Sequence, residues 1–254
     1  MKYPFLDNNE LILFDYLPGA SGQLLLRLWA ELDGKIEAEY KDILSSHYIN
    51  EHPASREINY GIAIPKRITN WFYDRCQPET IEEQLIFYEL LGTHLVAQQQ
   101  RWNWNNKQAK FFYPNKEYEL KNNRVLYGIH TWHYDINFSE LSNKKPNLKF
   151  ISLIPQTFRG KLYQLRRCLI CYPKVGDWEN WANISRNFNE HSKHYNKFDL
   201  QTKLVDLEYG EFDTILLWLK DNIGDSYDST KESRCIEILN TYYKEIVSNV
   251  STSN

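Results

Sequence analysis

The residues best placed to do chemistry begin at Tyr16-Leu17-Pro18-Gly19-Ala20-Ser21-Gly22-Gln23-Leu24-Leu25. An apolar run, Leu11 to Tyr16, enters a glycine-containing turn and passes directly into a helical pattern. That order aims several backbone N–H groups, and the positive end of a helix dipole, at one spot suited to a phosphate. Gly19 and Gly22 permit close backbone approach, and the Ser21 hydroxyl is a possible donor to an oxyanion. The turn is not a Walker A loop, which requires Lys and then Ser or Thr after its last glycine. Gln23 and Leu24 stand there instead, so the lysine for the β- and γ-phosphates and the hydroxyl for Mg²⁺ are both missing. An ordinary turn with glycines kept for tight packing accounts for the same residues about equally well.

A second feature is charge segregation. Leu141 to Gly176 contains no Asp or Glu but holds Lys144, Lys145, Lys149, Arg159, Lys161, Arg166, Arg167 and Lys174. The remaining chain carries 22 basic residues against 33 acidic ones, although the whole chain is only −3. Ordinary solvated surfaces mix their signs, so the stretch points to an anionic ligand. Arg forks suit a phosphate held in bidentate fashion. Nucleic acid is disfavoured by the negative overall balance and by the lack of a recognised binding motif.

His130 and His133 follow an apolar run, Val125 to His130, where α/β folds place their sites. Either imidazole has the pKa of a general base at neutral pH, and Asp135 could orient His133. The pairs His130/His133, His191/His194 and Cys168/Cys171 have ligand-like spacing, but the two cysteines sit in an apolar run where they read as small hydrophobes. No metal is expected. Four cysteines (Cys76, Cys168, Cys171, Cys235) are too few for a disulfide framework.

The turn resembles that of the sulfotransferase family, whose phosphosulfate loop has the form Pro-(Lys/Arg)-Ser-Gly-Thr-(Thr/Ser)-x-Leu at the same strand-to-helix junction. Ser21-Gly22 matches its core, Ala20 stands at the usual basic position, and Gln23 stands where the family has Thr. The resemblance implies a three-layer P-loop-like fold and 3′-phosphoadenosine 5′-phosphosulfate as donor, with residues 19–24 (Gly19, Ala20, Ser21, Gly22, Gln23, Leu24) around its 5′-phosphosulfate. It implies a base just past a later strand, where His130 and His133 stand. It also implies an Arg and a Ser after the next strand to bind the 3′-phosphate; Pro155 and Tyr163 occupy those spacings, which leaves Arg159, Arg166 and Arg167 as candidates. The acceptor would be a hydroxylated small molecule or saccharide. A different P-loop nucleotide-binding transferase or kinase, or a non-catalytic anion-binding module, remains the alternative.

These groups need a scaffold to position them. With 254 residues, 42% hydrophobic, 15% aromatic and 25% charged, the chain has ample apolar content for a core, which excludes intrinsic disorder. One domain over 1–254 is expected, without a membrane span or signal peptide, and cytoplasmic. Strands are expected at 11–16, 125–130, 148–154 and 203–207. Helices are expected at 23–33, ended by Gly34, and from the Thr80–Glu83 capping box to about residue 99. Further helices are expected at 163–171, at 212–223 stopped by Gly224, and from Ser229–Glu232 to about 247. Strands alternating with helices give an α/β class with a mainly parallel sheet.

Overall fold

The computed structural model describes residues 2–16, 20–35, 78–99, 124–129, 138–171, 196–198 and 212–251. Within them lie α1 (Pro4–Asn8), β1 (Glu10–Tyr16), α2 (Gly22–Leu32), α3 (Ile81–Gln99), β2 (Arg124–Ile129), α4 (Phe138–Lys144) and β3 (Leu148–Leu153). They continue with α5 (Phe158–Cys171), β4 (Asn196–Phe198), α6 (Phe212–Ile223) and α7 (Glu232–Ser251). The four strands form one sheet in the order β2-β1-β3-β4, and every pairing is parallel. The expected α/β class with a parallel sheet is therefore what the chain adopts.

The apolar run of β1 has a simple cause. Its side chains alternate between two apolar clusters, so both faces must be hydrophobic. Ile12, Phe14 and Tyr16 join Leu126, Ile151 and Leu153 against residues of α2, α6 and α7. Leu11 and Leu13 join Val125, Leu148 and Phe150 against residues of α1, α3 and α4. Trp29 meets Phe14 edge-on at 5.4 Å and Trp218 at 6.0 Å, and Trp218 stacks on Phe198 at 4.0 Å. Cys235 is buried in the first cluster with its Sγ 3.9 Å from the Leu28 carbonyl, and burial pushes its thiol up to about 12.

The helix ends test the sequence reading most sharply. The Thr80 capping box forms as written: Glu83 N donates to Thr80 Oγ1 at 3.2 Å, and Thr80 N donates back to Glu83 Oε2 at 3.0 Å. Gly224 adopts φ 70° and ends α6, as expected. Gly34 does not play that part. Helix α2 ends in extended Asp33, which forms an antiparallel bridge with Tyr227, and Gly34 N donates to Ser226 O at 2.8 Å. Helix α5 starts at Phe158 rather than Tyr163, because Thr157 Oγ1 accepts from Gly160 N at 3.0 Å and caps it. Helix α7 starts at Glu232 after a 3₁₀ turn, Ser229–Lys231, capped by Asp228. Glu232 accepts from the Tyr227 hydroxyl at 2.9 Å instead of closing a box on Ser229. Helices α1 and α4 and strand β4 were not foreseen. The strand expected at 203–207 lies outside the described residues. No helix among the described residues is long and apolar enough to cross a membrane.

Candidate functional site

Parallel strands share one carboxyl edge, and here β1 sits between β2 and β3. The register pairs Asp15 with Ile129 on one side and with Ser152 on the other. The junction into α2, the end of β2 and the end of β3 therefore meet at one edge of the sheet. His130 follows β2 directly in the chain, and Arg159 lies in the first turn of α5, five residues after Ile154. This is the edge at which open α/β sheets bind ligands.

At its centre is Ser21, which has a left-handed backbone (φ 59°, ψ 29°) unusual for a residue with a side chain. It precedes α2 as N-cap residue, and its own side chain makes no capping hydrogen bond to that helix. Leu25 N reaches back to Ser21 O at 3.3 Å. The starts of α1, α3 and α5 are treated differently. Glu89 puts one carboxylate oxygen on Phe5 N (2.7 Å) and the other on Leu6 N (2.9 Å), and Thr80 and Thr157 cap α3 and α5. The start of α2 presents a dipole end that favours an anion.

The sequence-derived residues fall as follows. Ala20 is buried, and Ser21 and Gly22 are almost as covered. Leu24 packs in the core, so only its backbone could meet a ligand. The Ser21 Oγ lies 2.5 Å from the Tyr242 hydroxyl of α7, within a buried contact. A Cβ on Gly22 would fall 2.2 Å from the ring of Tyr16, so this glycine is needed for close packing of that tyrosine. Gln23 occupies the second position of α2, and Arg166 and Arg167 belong to α5. Arg159 is exposed. Gly19, His130, His133, Asp135, His191 and His194 lie outside the described residues, as does Cys76. Among the described residues no group of three or more His, Cys, Asp or Glu is arranged to hold a metal.

Sequence reasoning missed the two tyrosines around the turn. Nothing in the sequence assigns the Tyr16 ring a contact with Gly22, and Tyr242 sits 221 positions from Ser21 with no local signal to link them. It also missed Ser152, buried beside Asp15 on the sheet, whose Oγ has no hydrogen-bond partner among the described residues.

The opposite, amino edge holds the strongest electrostatic cluster. Arg124, at the start of β2, donates from Nε to Glu10 Oε2 at 2.7 Å. Its Nη1 donates to Asp33 Oδ2 at 2.6 Å, to Ser226 Oγ at 3.1 Å and to the Ile223 carbonyl at 3.2 Å. Asp33 is fully buried and also accepts from Trp29 Nε1, Lys35 N and Ser226 Oγ. Burial works against the Arg124 charge, but the Glu10 hydrogen bond and the Asp33 field outweigh it and raise its pKa. Burial likewise opposes the Glu10 charge, and Arg124 overcomes it and lowers that carboxyl. Arg124 joins the start of β1, the end of α2 and the end of α6, so the cluster reads as a clasp.

Comparison of the chain with family models, curated proteins and solved structures finds no match.

Proposed function

We propose that the carboxyl edge binds an anionic nucleotide in a three-layer P-loop-like fold, and that the protein is a cytoplasmic transferase of sulfotransferase type. The observation that carries the reading is the start of α2: a left-handed Ser21, whose own side chain does not cap the helix, after β1, which lies between β2 and β3. The segments leading to His130 and Arg159 flank it on the two neighbouring strands.

In this reading the backbone of residues 19–24 cradles the 5′-phosphosulfate of 3′-phosphoadenosine 5′-phosphosulfate. Arg159, with Arg166 or Arg167, holds the 3′-phosphate. A hydroxyl acceptor attacks sulfur, a new S–O bond forms, and the bond to the bridging phosphate oxygen breaks. Adenosine 3′,5′-bisphosphate leaves, and His130 or His133 takes the acceptor proton. Donors fixed before the reaction supply most of the stabilisation, without a metal.

The test is a thermal-shift comparison of adenosine 3′,5′-bisphosphate with ATP, with and without Mg²⁺. The bisphosphate at a hundred times its dissociation constant should add about 2.7 kcal/mol. Arg159→Ala should weaken it by about 1.5–3 kcal/mol, the range for a hydrogen bond to a charged group. Tighter, Mg²⁺-dependent ATP binding would move the assignment to a kinase. A second reading, a non-catalytic anion-binding module, is favoured by the Tyr242 contact to Ser21 and the Tyr16 ring against Gly22. Donor binding without turnover on any hydroxyl acceptor would select it. Turnover lowered about 10²–10⁴-fold by His130→Ala or His133→Ala would select the enzyme.

A further inference from the structure

One polar pair interrupts the apolar face of the sheet that α1, α3 and α4 cover. Leu11 and Leu13 of β1, with Leu148 and Phe150 of β3, build that face. Side chains alternate along a strand, so Asp15 and Ser152 belong to it as well. The two are register partners on neighbouring parallel strands, near the carboxyl edge. Asp15 is 1% exposed and Ser152 0%. The Ser152 Oγ is buried without a hydrogen-bond partner among the described residues, Asp15 included. Asp15 has interactions of its own elsewhere. A carboxylate has about four lone-pair sites, so it can accept from several donors at once. A hydroxyl buried without a partner is costly, and an apolar residue at position 152 would build the same strand without that cost.

We propose that Asp15 and Ser152 hold one buried water between them, beneath the carboxyl edge of the sheet. Side chains that rise from one register position of adjacent strands stand about 4.8 Å apart. One oxygen between them can lie about 2.8 Å from each, the ordinary O–H···O distance. The Ser152 hydroxyl donates to this water, and the water donates to an Asp15 oxygen. Two polar partners are enough to hold a buried water. The chemistry and the burial exclude other occupants. A hard cation takes six or more oxygens, and the pair supplies three. A larger ligand needs an opening, whereas both side chains are closed off from solvent. The site lies one residue before Tyr16, whose ring packs on Gly22, but it belongs to the sheet face opposite α2. The inference is therefore independent of the proposed nucleotide site.

The test pairs a high-resolution crystal structure of the full chain with thermal unfolding of Ser152→Ala. Density for one ordered oxygen should lie about 2.5–3.0 Å from both the Ser152 Oγ and an Asp15 oxygen. Ser152→Ala removes a single oxygen, so the variant should fold. Its crystal structure should lack that density, and it should unfold about 2–4 °C below wild type, the shift expected for one net hydrogen bond in a chain of this size. Three results would overturn the inference. One is a structure with no ordered oxygen between the two residues. Another is a Ser152 hydroxyl turned onto Asp15 in a direct hydrogen bond. The third is Ser152→Ala unfolding at the wild-type temperature or above it, which would mean that the hydroxyl is bound to nothing.

Discussion

The two edges of the sheet are built on opposite principles. At the amino edge, one guanidinium gathers Glu10, Asp33, Ser226 and the Ile223 carbonyl, and so ties β1, β2, α2 and the end of α6 together. At the carboxyl edge, the turn into α2 is held by the packing of Tyr16 on Gly22 and a hydroxyl contact between Ser21 and Tyr242. The first edge pairs the buried charges of Arg124 and Asp33 with each other. The second keeps a left-handed Ser21 whose own side chain does not cap α2. Strain of that kind persists where the surroundings impose it, and it clusters at sites that bind or switch. Under the proposed function the contrast is between a stabilising end and a binding end, a division that parallel sheets generally show.

The comparison is broken most directly at the clasp. Arg124→Ala leaves Asp33 buried without its counter-charge and should cost about 3–5 kcal/mol in denaturant unfolding. Nucleotide affinity in the folded fraction should be unchanged; a loss below about 1 kcal/mol would show that the clasp does not organise this edge. The next effect is at Gly22. Gly22→Ala puts a methyl into the Tyr16 ring and should cost about 1–3 kcal/mol by overpacking. Combining it with Tyr16→Ala should return part of that loss; strict additivity would mean that the two residues do not oppose each other.

Tyr242→Phe sharpens the same edge. Removing one hydroxyl should cost about 0.5–1.5 kcal/mol, measured by thermal unfolding. If the turn receives an anion, the freed Ser21 hydroxyl should hold or improve bisphosphate affinity. A loss of affinity would make Tyr242 part of the binding surface. The smallest effect concerns pH. The folded-state pKa of Glu10 is lowered, so its contribution is present above the ordinary carboxylate range and disappears as pH falls through the depressed value. With its side chain still 21% exposed, the pair is worth about 1 kcal/mol or less. Glu10→Gln should flatten that part of the acid limb in equilibrium unfolding; an unchanged limb would assign the titration to other carboxylates.

The elements legible in the sequence were those whose causes are local. The both-faced apolar run of β1, the reciprocal pair Thr80 and Glu83, and the left-handed stop at Gly224 each carry their reason within a few residues. Where the reading failed, the cause was distant. Gly34 does not cap α2 because Asp33 is drawn into an extended bridge with Tyr227 by partners near residues 124 and 226. The start of α5 was placed late because Gly160 interrupts the pattern, although Thr157 was available as its cap. The turn itself was found from its glycines and its strand–helix order. The tyrosines that enclose it could not be found, since Tyr242 reaches Ser21 only after the whole chain has folded.

The central place of β1 also governs how the protein must be made. Its neighbour across the Glu10–Arg124 pair lies 114 positions later, and its other neighbour, β3, later still. At ordinary elongation rates that is a wait of on the order of ten seconds. Throughout it, Leu11 to Phe14 has neither edge nor face covered by its native strands. Such a short, uncharged, apolar segment is the kind that pairs with copies of itself. Newly made chains should therefore depend on chaperones that shield β1 until β3 emerges, and refolding from denaturant should lose yield steeply with protein concentration.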